Sequence, residues 1–323
     1  MASTNFEFIA KFGTLGTGNE NVTLPIGVTT DGQYLYIADF SNGRVLKWSA
    51  SGGAFVALNT DDFTGPFDVV LWQDRLFVTD FTDNDITVLD PRDLSLVKTL
   101  SISVSSPSGM AVGEEFLYVG EQGNDRINKI DRALTSVATL TSITNPEHLA
   151  YDDHEKALYI SSASADTVLK YNTKDFSTLL DTISSLDDPR GLAVKDHYLY
   201  VVEDNKVTAY DTASLVARAT AGTAGSGNTN ISTGRGLTTD GDVLFFIDAG
   251  LSRVTVWADY KAERAFSSGD SVKVGGAIGQ NPWQVIGETV EGSAPTIGGT
   301  AISDLANNVE EIPLLDCAAN IEE

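Results

Sequence analysis

Six times along the chain the sequence says nearly the same thing. The segments begin "LPIGVTTDGQYLYIADFSNGRVLKW" at Leu24, "GPFDVVLWQDRLFVTDFTDNDITVL" at Gly65 and "SPSGMAVGEEFLYVGEQGNDRINKI" at Ser106. They continue with "NPEHLAYDDHEKALYISSASADTVLKY" at Asn145, "DPRGLAVKDHYLYVVEDNKVTAY" at Asp188 and "TGRGLTTDGDVLFFIDAGLSRVTVW" at Thr233. Their anchors Pro25, Pro66, Pro107, Pro146, Pro189 and Gly234 are spaced by 41, 41, 39, 43 and 45 residues. A repeat of this length built from several short strands is the mark of a propeller blade, not of a helical solenoid.

Each unit reads as four strands. A short apolar strand such as "GVTT" or "GLAV" follows the anchor, and a turn that often carries Asp and Gly comes next. The second strand is aromatic and β-branched ("YLYIAD", "RLFVTD", "FLYVGE", "ALYISS", "YLYVVE", "VLFFID"), as strands buried on at least one face require. A polar turn leads to a third strand ("RVLKW", "RINKI") and an outer one ("AFVAL", "SVATL"). The expectation is an all-β, six-bladed β-propeller of four-stranded blades over residues 1–290, with an extended C-terminal tail over 291–323. The tail never reaches a further "LYVAD"-like strand, which a seventh blade would need. Either the N-terminal segment 5–13 or the segment 260–270 can supply the strand that completes the last blade, and the sequence does not choose between them.

The pattern "P-x-G-[LV]", then "LY[IV]-x-[DE]", then "N-x-R-[VI]" resembles the NHL-repeat propeller family over roughly residues 5–290. The resemblance implies a six-bladed propeller. It does not imply one function, because this fold hosts many.

Within the repeat an acid closes the second strand and an Arg opens the third: Asp39 with Arg44, Glu121 with Arg126, Asp248 with Arg253. Across one hairpin turn such residues meet as a carboxylate–guanidinium pair, so they read as structure. Blade two sets Asp80 opposite Asp85, and blade four sets Ser162 opposite Thr167. In blade five Glu203 falls near Lys206.

The informative positions are those that vary at one mouth of the channel, where the inner strands begin. The residue after each anchor is Ile26, Phe67, Ser108, Glu147, Arg190 and Arg235; the next is Gly27, Asp68, Gly109, His148, Gly191 and Gly236. The candidate binding set is therefore Phe67, Asp68, Glu147, His148, Arg190 and Arg235. His154 and His197 belong to turns on the opposite face, so the three histidines should not converge.

Composition narrows the chemistry. Lys and Arg total 21 against 45 Asp and Glu, a net charge of -24, and no run of three basic residues occurs, which argues against nucleic acid. One cysteine, Cys317, excludes an internal disulfide and paired-cysteine zinc sites. No apolar stretch is long enough for a transmembrane helix, and "MASTNFEFIAKFG" lacks the charged and apolar regions of a conventional signal peptide. A cytoplasmic or particle-assembled protein is expected.

A central calcium, as in propeller lactonases, needs six to eight oxygens, and Asp68 with Glu147 supply too few. NHL-type lyases need several histidines around the channel, and one stands at this mouth. The balance reads against catalysis, with no cofactor and no metal. The leading expectation is a binding or scaffold propeller for a protein or a surface glycan or polymer. The alternatives are a component of a phage-like particle docked through its tail and a lactonase-like propeller hydrolase or lyase.

Overall fold

A computed structural model describes residues 4–240 and 243–261, together with 296–297 and 300–301. The chain divides into two compact units, Met1–Lys261 and Ala262–Glu323. In the second, Thr296–Ile297 pairs antiparallel with Thr300–Ala301. The proposed boundary at 290 and the tail over 291–323 otherwise lie outside the described residues.

The first unit is a ring of six four-stranded antiparallel blades. From the axis outward, blade one runs Pro25–Thr30, Tyr34–Asp39, Arg44–Ser49 and Phe55–Asn59. Blade two runs Pro66–Trp72, Arg75–Asp80, Asp85–Leu89 and Leu96–Thr99. Blade three runs Pro107–Val112, Phe116–Glu121, Arg126–Asp131 and Ser136–Thr141. Blade four runs Leu149–Asp152, Ala157–Ser162, Thr167–Asn172 and Leu179–Ser184. Blade five runs Leu192–Lys195, Tyr198–Val202, Val207–Asp211 and Ala217–Ala221. Blade six takes Gly234–Asp240, Val243–Asp248 and Arg253–Lys261 from the end of the unit. Its outer strand is Thr4–Phe12 from the beginning. The N-terminal strand therefore closes the ring. Phe6 meets Tyr200 edge-on (6.2 Å) and Phe8 meets Trp257 (5.8 Å), which fixes that strand against blades five and six.

The core is a set of wedges between neighbouring blades. Tyr36 and Val45 of blade one, for example, pack with Val69, Leu76 and Val78 of blade two. One aromatic per blade dominates each wedge: Tyr36, Phe77, Tyr118, Tyr159, Tyr200 and Phe245, all almost fully buried. Burying each contributes about 2–3 kcal/mol relative to exposure. Opposite three of them the third strand carries a lysine: Lys47 faces Tyr36, Lys129 faces Tyr118 and Lys170 faces Tyr159. Each ammonium donates to a carbonyl of the next blade, Pro91 (2.8 Å), Thr173 (3.2 Å) and Thr212 (2.8 Å), so the lysines latch blades together.

At the mouth, the predicted hairpin pairs are present at 2.8 Å (Asp39–Arg44), 2.8 Å (Glu121–Arg126) and 3.0 Å (Asp248–Arg253). Glu203 binds Lys206 at 3.1 Å, while Asp80 stands opposite Asp85 and Ser162 opposite Thr167. The acids have a second task that the pairing pattern did not reveal. Each accepts backbone N–H groups from the loop leading into its own blade, such as Thr23 to Asp39 (2.7 Å) and Thr64 to Asp80 (2.8 Å). Asp187 donates likewise to Glu203 (2.9 Å). The carboxylate thereby anchors the turn that starts the inner strand.

Candidate functional site

Four of the six inner strands begin with an irregularity that sets the height of the side chains at the mouth. Register shifts fall between Pro25 and Val28, Pro66 and Asp68, Pro107 and Met110, and Gly234 and Leu237. A bulge of this kind re-aims the side chains next to it. The glycines here are needed for close approach. A Cβ on Gly27 would lie 2.6 Å from the Asp68 backbone, and one on Gly109 would lie 2.5 Å from that of His148. On Gly191 it would lie 2.0 Å from the Arg235 carbonyl oxygen.

The six candidate residues come together in two groups. In the first, Phe67 and Asp68 of blade two meet His148 of blade four across Gly109 of blade three. The Phe67 and His148 rings are 5.6 Å apart, and His148 Nδ1 lies 4.0 Å from Asp68 Oδ2, beyond hydrogen-bond reach. Both Asp68 oxygens are already engaged, accepting from Val69 N–H (2.8 Å) and Met110 N–H (2.7 Å). In the second group, Glu147 Oε1 accepts from Arg190 and Arg235, each at 2.9 Å, and Oε2 accepts from Gln122 (3.0 Å). Arg190 also holds Asp188 through Nε (3.0 Å).

Burial differs sharply from what an open binding set would have. Phe67, Asp68, Glu147 and His148 are only 4–6% exposed, and the Arg190 and Arg235 side chains 15 and 18%. Burial pushes the Asp68 carboxyl up to about 7 against the pull of its two N–H donors. Burial, with Arg235 and Arg190 nearby, pushes His148 down to about 3, so the imidazole is neutral at pH 7. Burial also lowers Arg235, with Arg190 adding to the shift. Two buried nitrogens, His148 Nε2 and Arg235 Nε, have no hydrogen-bond partner.

Residues beyond the six complete this face. Phe81, half-buried in the second-to-third-strand turn of blade two, stacks on Phe67 (5.8 Å) and meets half-buried Phe40 of blade one edge-on (6.5 Å). An aromatic chain thus runs Phe40–Phe81–Phe67–His148 from rim to axis. Phe40, Phe81, Gln122 and Asp188 all occupy turns on the mouth face, and that placement was the available signal for them. The histidines arrange themselves differently from expectation in one respect. His148 is remote from the others as predicted, but His154 and His197 of adjacent blades touch edge-to-face at 4.8 Å on the opposite side. Among the described residues no group of three or more His, Cys, Asp or Glu side chains is arranged to hold a metal. No described helix is long and apolar enough to cross a membrane.

No protein-family profile matches the sequence, and no curated protein matches it. Among solved structures it is similar to one from a crystal structure of a nidogen/laminin complex. That likeness has 19% identity and a TM-score of 0.57, covering 67% of this chain and 92% of that one. It is also similar to a streptogramin B lyase, with 12% identity and a TM-score of 0.56, covering 80% of this chain and 98% of that one. At such identities the likeness is one of fold, and the fold it supports is the six-bladed β-propeller.

Proposed function

We propose that this chain is an NHL-like binding propeller that holds a protein partner on the face where the inner strands begin. The observation that carries the reading is the composition of the rim around a closed axis. Half-buried Phe40 and Phe81 stand on the side of blades one and two, and the guanidinium pair Arg190 and Arg235 on the side of blades five and six. Aromatic and arginine side chains dominate the energetics of protein interfaces. The candidate carboxylates are buried and already engaged by backbone N–H groups, guanidiniums and Gln122, which suits a rigid platform better than a reacting centre. The nidogen/laminin neighbour comes from a protein–protein complex, which is consistent with this use of the fold. The partner surface that fits would offer an apolar side chain to the Phe40–Phe81 edge and a carboxylate to Arg190 and Arg235.

The test is site-specific photocrosslinking in the cells that make the protein, with benzoylphenylalanine replacing Phe81 on the rim or Val137 on an outer strand. Adducts at the Phe81 position, absent at Val137 and weakened by Arg190→Ala with Arg235→Ala in a folded protein, are expected. Equal adducts at both positions, or indifference to the arginine substitutions, would remove the support for this face.

A further inference from the structure

Two of the chain's three histidines meet on the face opposite the mouth. His154 lies in the turn between Leu149–Asp152 and Ala157–Ser162 of blade four. His197 lies in the matching turn of blade five, between Leu192–Lys195 and Tyr198–Val202. Each follows an aspartate, Asp153 or Asp196. Both histidines are exposed, the His154 side chain by 65%, and their ring centroids stand 4.8 Å apart.

The backbone holds the two turns in place. Asp152 Oδ1 accepts from the N–H groups of His154 (2.9 Å) and Glu155 (3.1 Å), which pins the turn of blade four. In blade five the Thr212 N–H donates to the His197 carbonyl (2.8 Å). Lys170 of blade four joins the two turns: its Nζ donates to the Thr212 carbonyl (2.8 Å) and lies 3.5 Å from Glu155 Oε2. Tyr159 Oη donates to the same carbonyl (3.2 Å). The latch between blades therefore also keeps the imidazoles side by side.

Their separation suits a shared ion. Two imidazoles on one metal, each nitrogen about 2.0–2.1 Å from it, hold their centroids roughly 4.5–5.2 Å apart at coordination angles of roughly 90–110°. The terminal torsion of histidine is broad, so on an exposed face the spacing constrains such a site more than the present interplanar angle of 85°. Glu155 adds a second indication. Its Oε1 stands 3.3 Å from His154 Nδ1. A proton kept on Nδ1 by that carboxylate leaves the lone pair on Nε2, the arrangement that orients metal-bound histidines. The local charge also favours a cation, because the two turns carry Asp152, Asp153, Glu155 and Asp196 against Lys156 and Lys195.

We propose that His154 and His197 form a shared two-imidazole site for a divalent transition-metal ion, copper(II) before nickel or zinc, with water filling the remaining positions. The donor set selects the ion. Calcium and magnesium want oxygen ligands. Structural zinc takes four protein ligands, and the described residues assemble no such group. Copper(II) heads the affinity order of these divalent ions and favours a tetragonal shell of nitrogen and oxygen. This site is independent of the protein-binding face proposed above, and neither reading stands on the other.

The experiment is a copper(II) titration of the untagged full chain at neutral pH, read at the ring-proton signals of the three histidines and by electron paramagnetic resonance. At one equivalent of copper the His154 and His197 signals should broaden together, while buried His148 keeps its signal. The copper spectrum should show two nitrogen ligands. Zinc should shift the same two histidines only at about tenfold higher concentration or more. His154→Gln should weaken copper capture at His197 by about tenfold or more, and His197→Gln should do the same at His154. Both substitutions fall in exposed turns, so the variants should melt with the parent. The proposal is overturned if copper leaves both signals untouched or broadens them at different concentrations. It is overturned equally if either histidine alone captures copper as well as the pair does.

Discussion

Removing the Glu147 carboxylate tests whether charge holds the mouth together. One oxygen accepts from two guanidiniums at 2.9 Å and the other from Gln122 at 3.0 Å. In Glu147→Ala, Arg190 keeps Asp188, whereas Arg235 loses its ion-pair partner and already has an unpartnered Nε. Breaking a buried pair by deleting one member costs about 3–5 kcal/mol. Arg235 keeps 18% of its side chain exposed, which lets water screen part of the stranded charge. The lower end, about 3 kcal/mol, is therefore expected. For a domain of this size that corresponds to a fall in Tm of roughly 6–12 °C. Glu147→Gln keeps an acceptor for one guanidinium and should lose about half as much. The decisive variant is the double substitution Glu147→Ala with Arg235→Met, which removes the stranded charge along with its partner and should melt above Glu147→Ala alone. Calorimetric scans at one pH and salt concentration read all three. A Glu147→Ala protein that melts within about 2 °C of the parent, or a double variant that melts below the single one, refutes the reasoning.

Other substitutions test the ring itself. Gly191→Ala forces a Cβ to within 2.0 Å of the Arg235 carbonyl oxygen, which side-chain motion cannot relieve. It should cost about 2 kcal/mol or more in urea unfolding, whereas Gly52→Ala, with nothing within 4 Å, should be within about 0.5 kcal/mol of the parent. Phe8→Ala removes the edge contact with Trp257 from a half-buried position. It should cost about 2 kcal/mol and speed hydrogen exchange in Arg253–Lys261. The shifted pair predicts opposing pH dependences. Asp68, raised to about 7, holds its proton when folded and loses it when unfolded, so its contribution falls as pH rises from about 4 to 7. His148, lowered to about 3, is protonated only in the unfolded chain over this range, so its contribution rises from about pH 3 to 6.5. Between pH 4 and 6.5 the two offset each other in the parent. Relative to it, stability should climb with pH over that range in Asp68→Asn and decline in His148→Phe; slopes unchanged from the parent in urea titrations would contradict the assignment.

The blades were legible because their physics is local. An aromatic in the second strand returns at Tyr36, Phe77, Tyr118, Tyr159 and Tyr200, and every repeat brackets it with turn residues. Each hairpin pair sits five residues apart on one turn, so its contact can be read without knowing the rest of the ring. Ring closure was not legible for the opposite reason. "FEFIAKF" and "YKAERAF" both supply apolar residues at strand-like spacing. What distinguishes the first is its antiparallel register with Arg253–Lys261 and the docking of Phe6 and Phe8 on Tyr200 and Trp257. Those contacts join residues some two hundred positions apart, and no local pattern encodes them.

The mouth shows a subtler limit. Counting from each anchor put Phe67, Asp68, Glu147, His148, Arg190 and Arg235 at one level, but not the distance each side chain spans. Glycine in a blade leaves a gap, and the larger residues of the blades on either side reach across it. His148 and Phe67 meet over Gly109, and Glu147 and Arg235 meet over Gly191. The alternation of large and small that resembles a tuned binding set therefore also closes the axis. Once Asp68 is fixed by two backbone N–H groups and Glu147 by two guanidiniums, little of either is left for a visitor. In the proposed binding mode, recognition on this face falls to the side chains that the closing leaves over: the edges of Phe40 and Phe81 and the partly exposed guanidiniums.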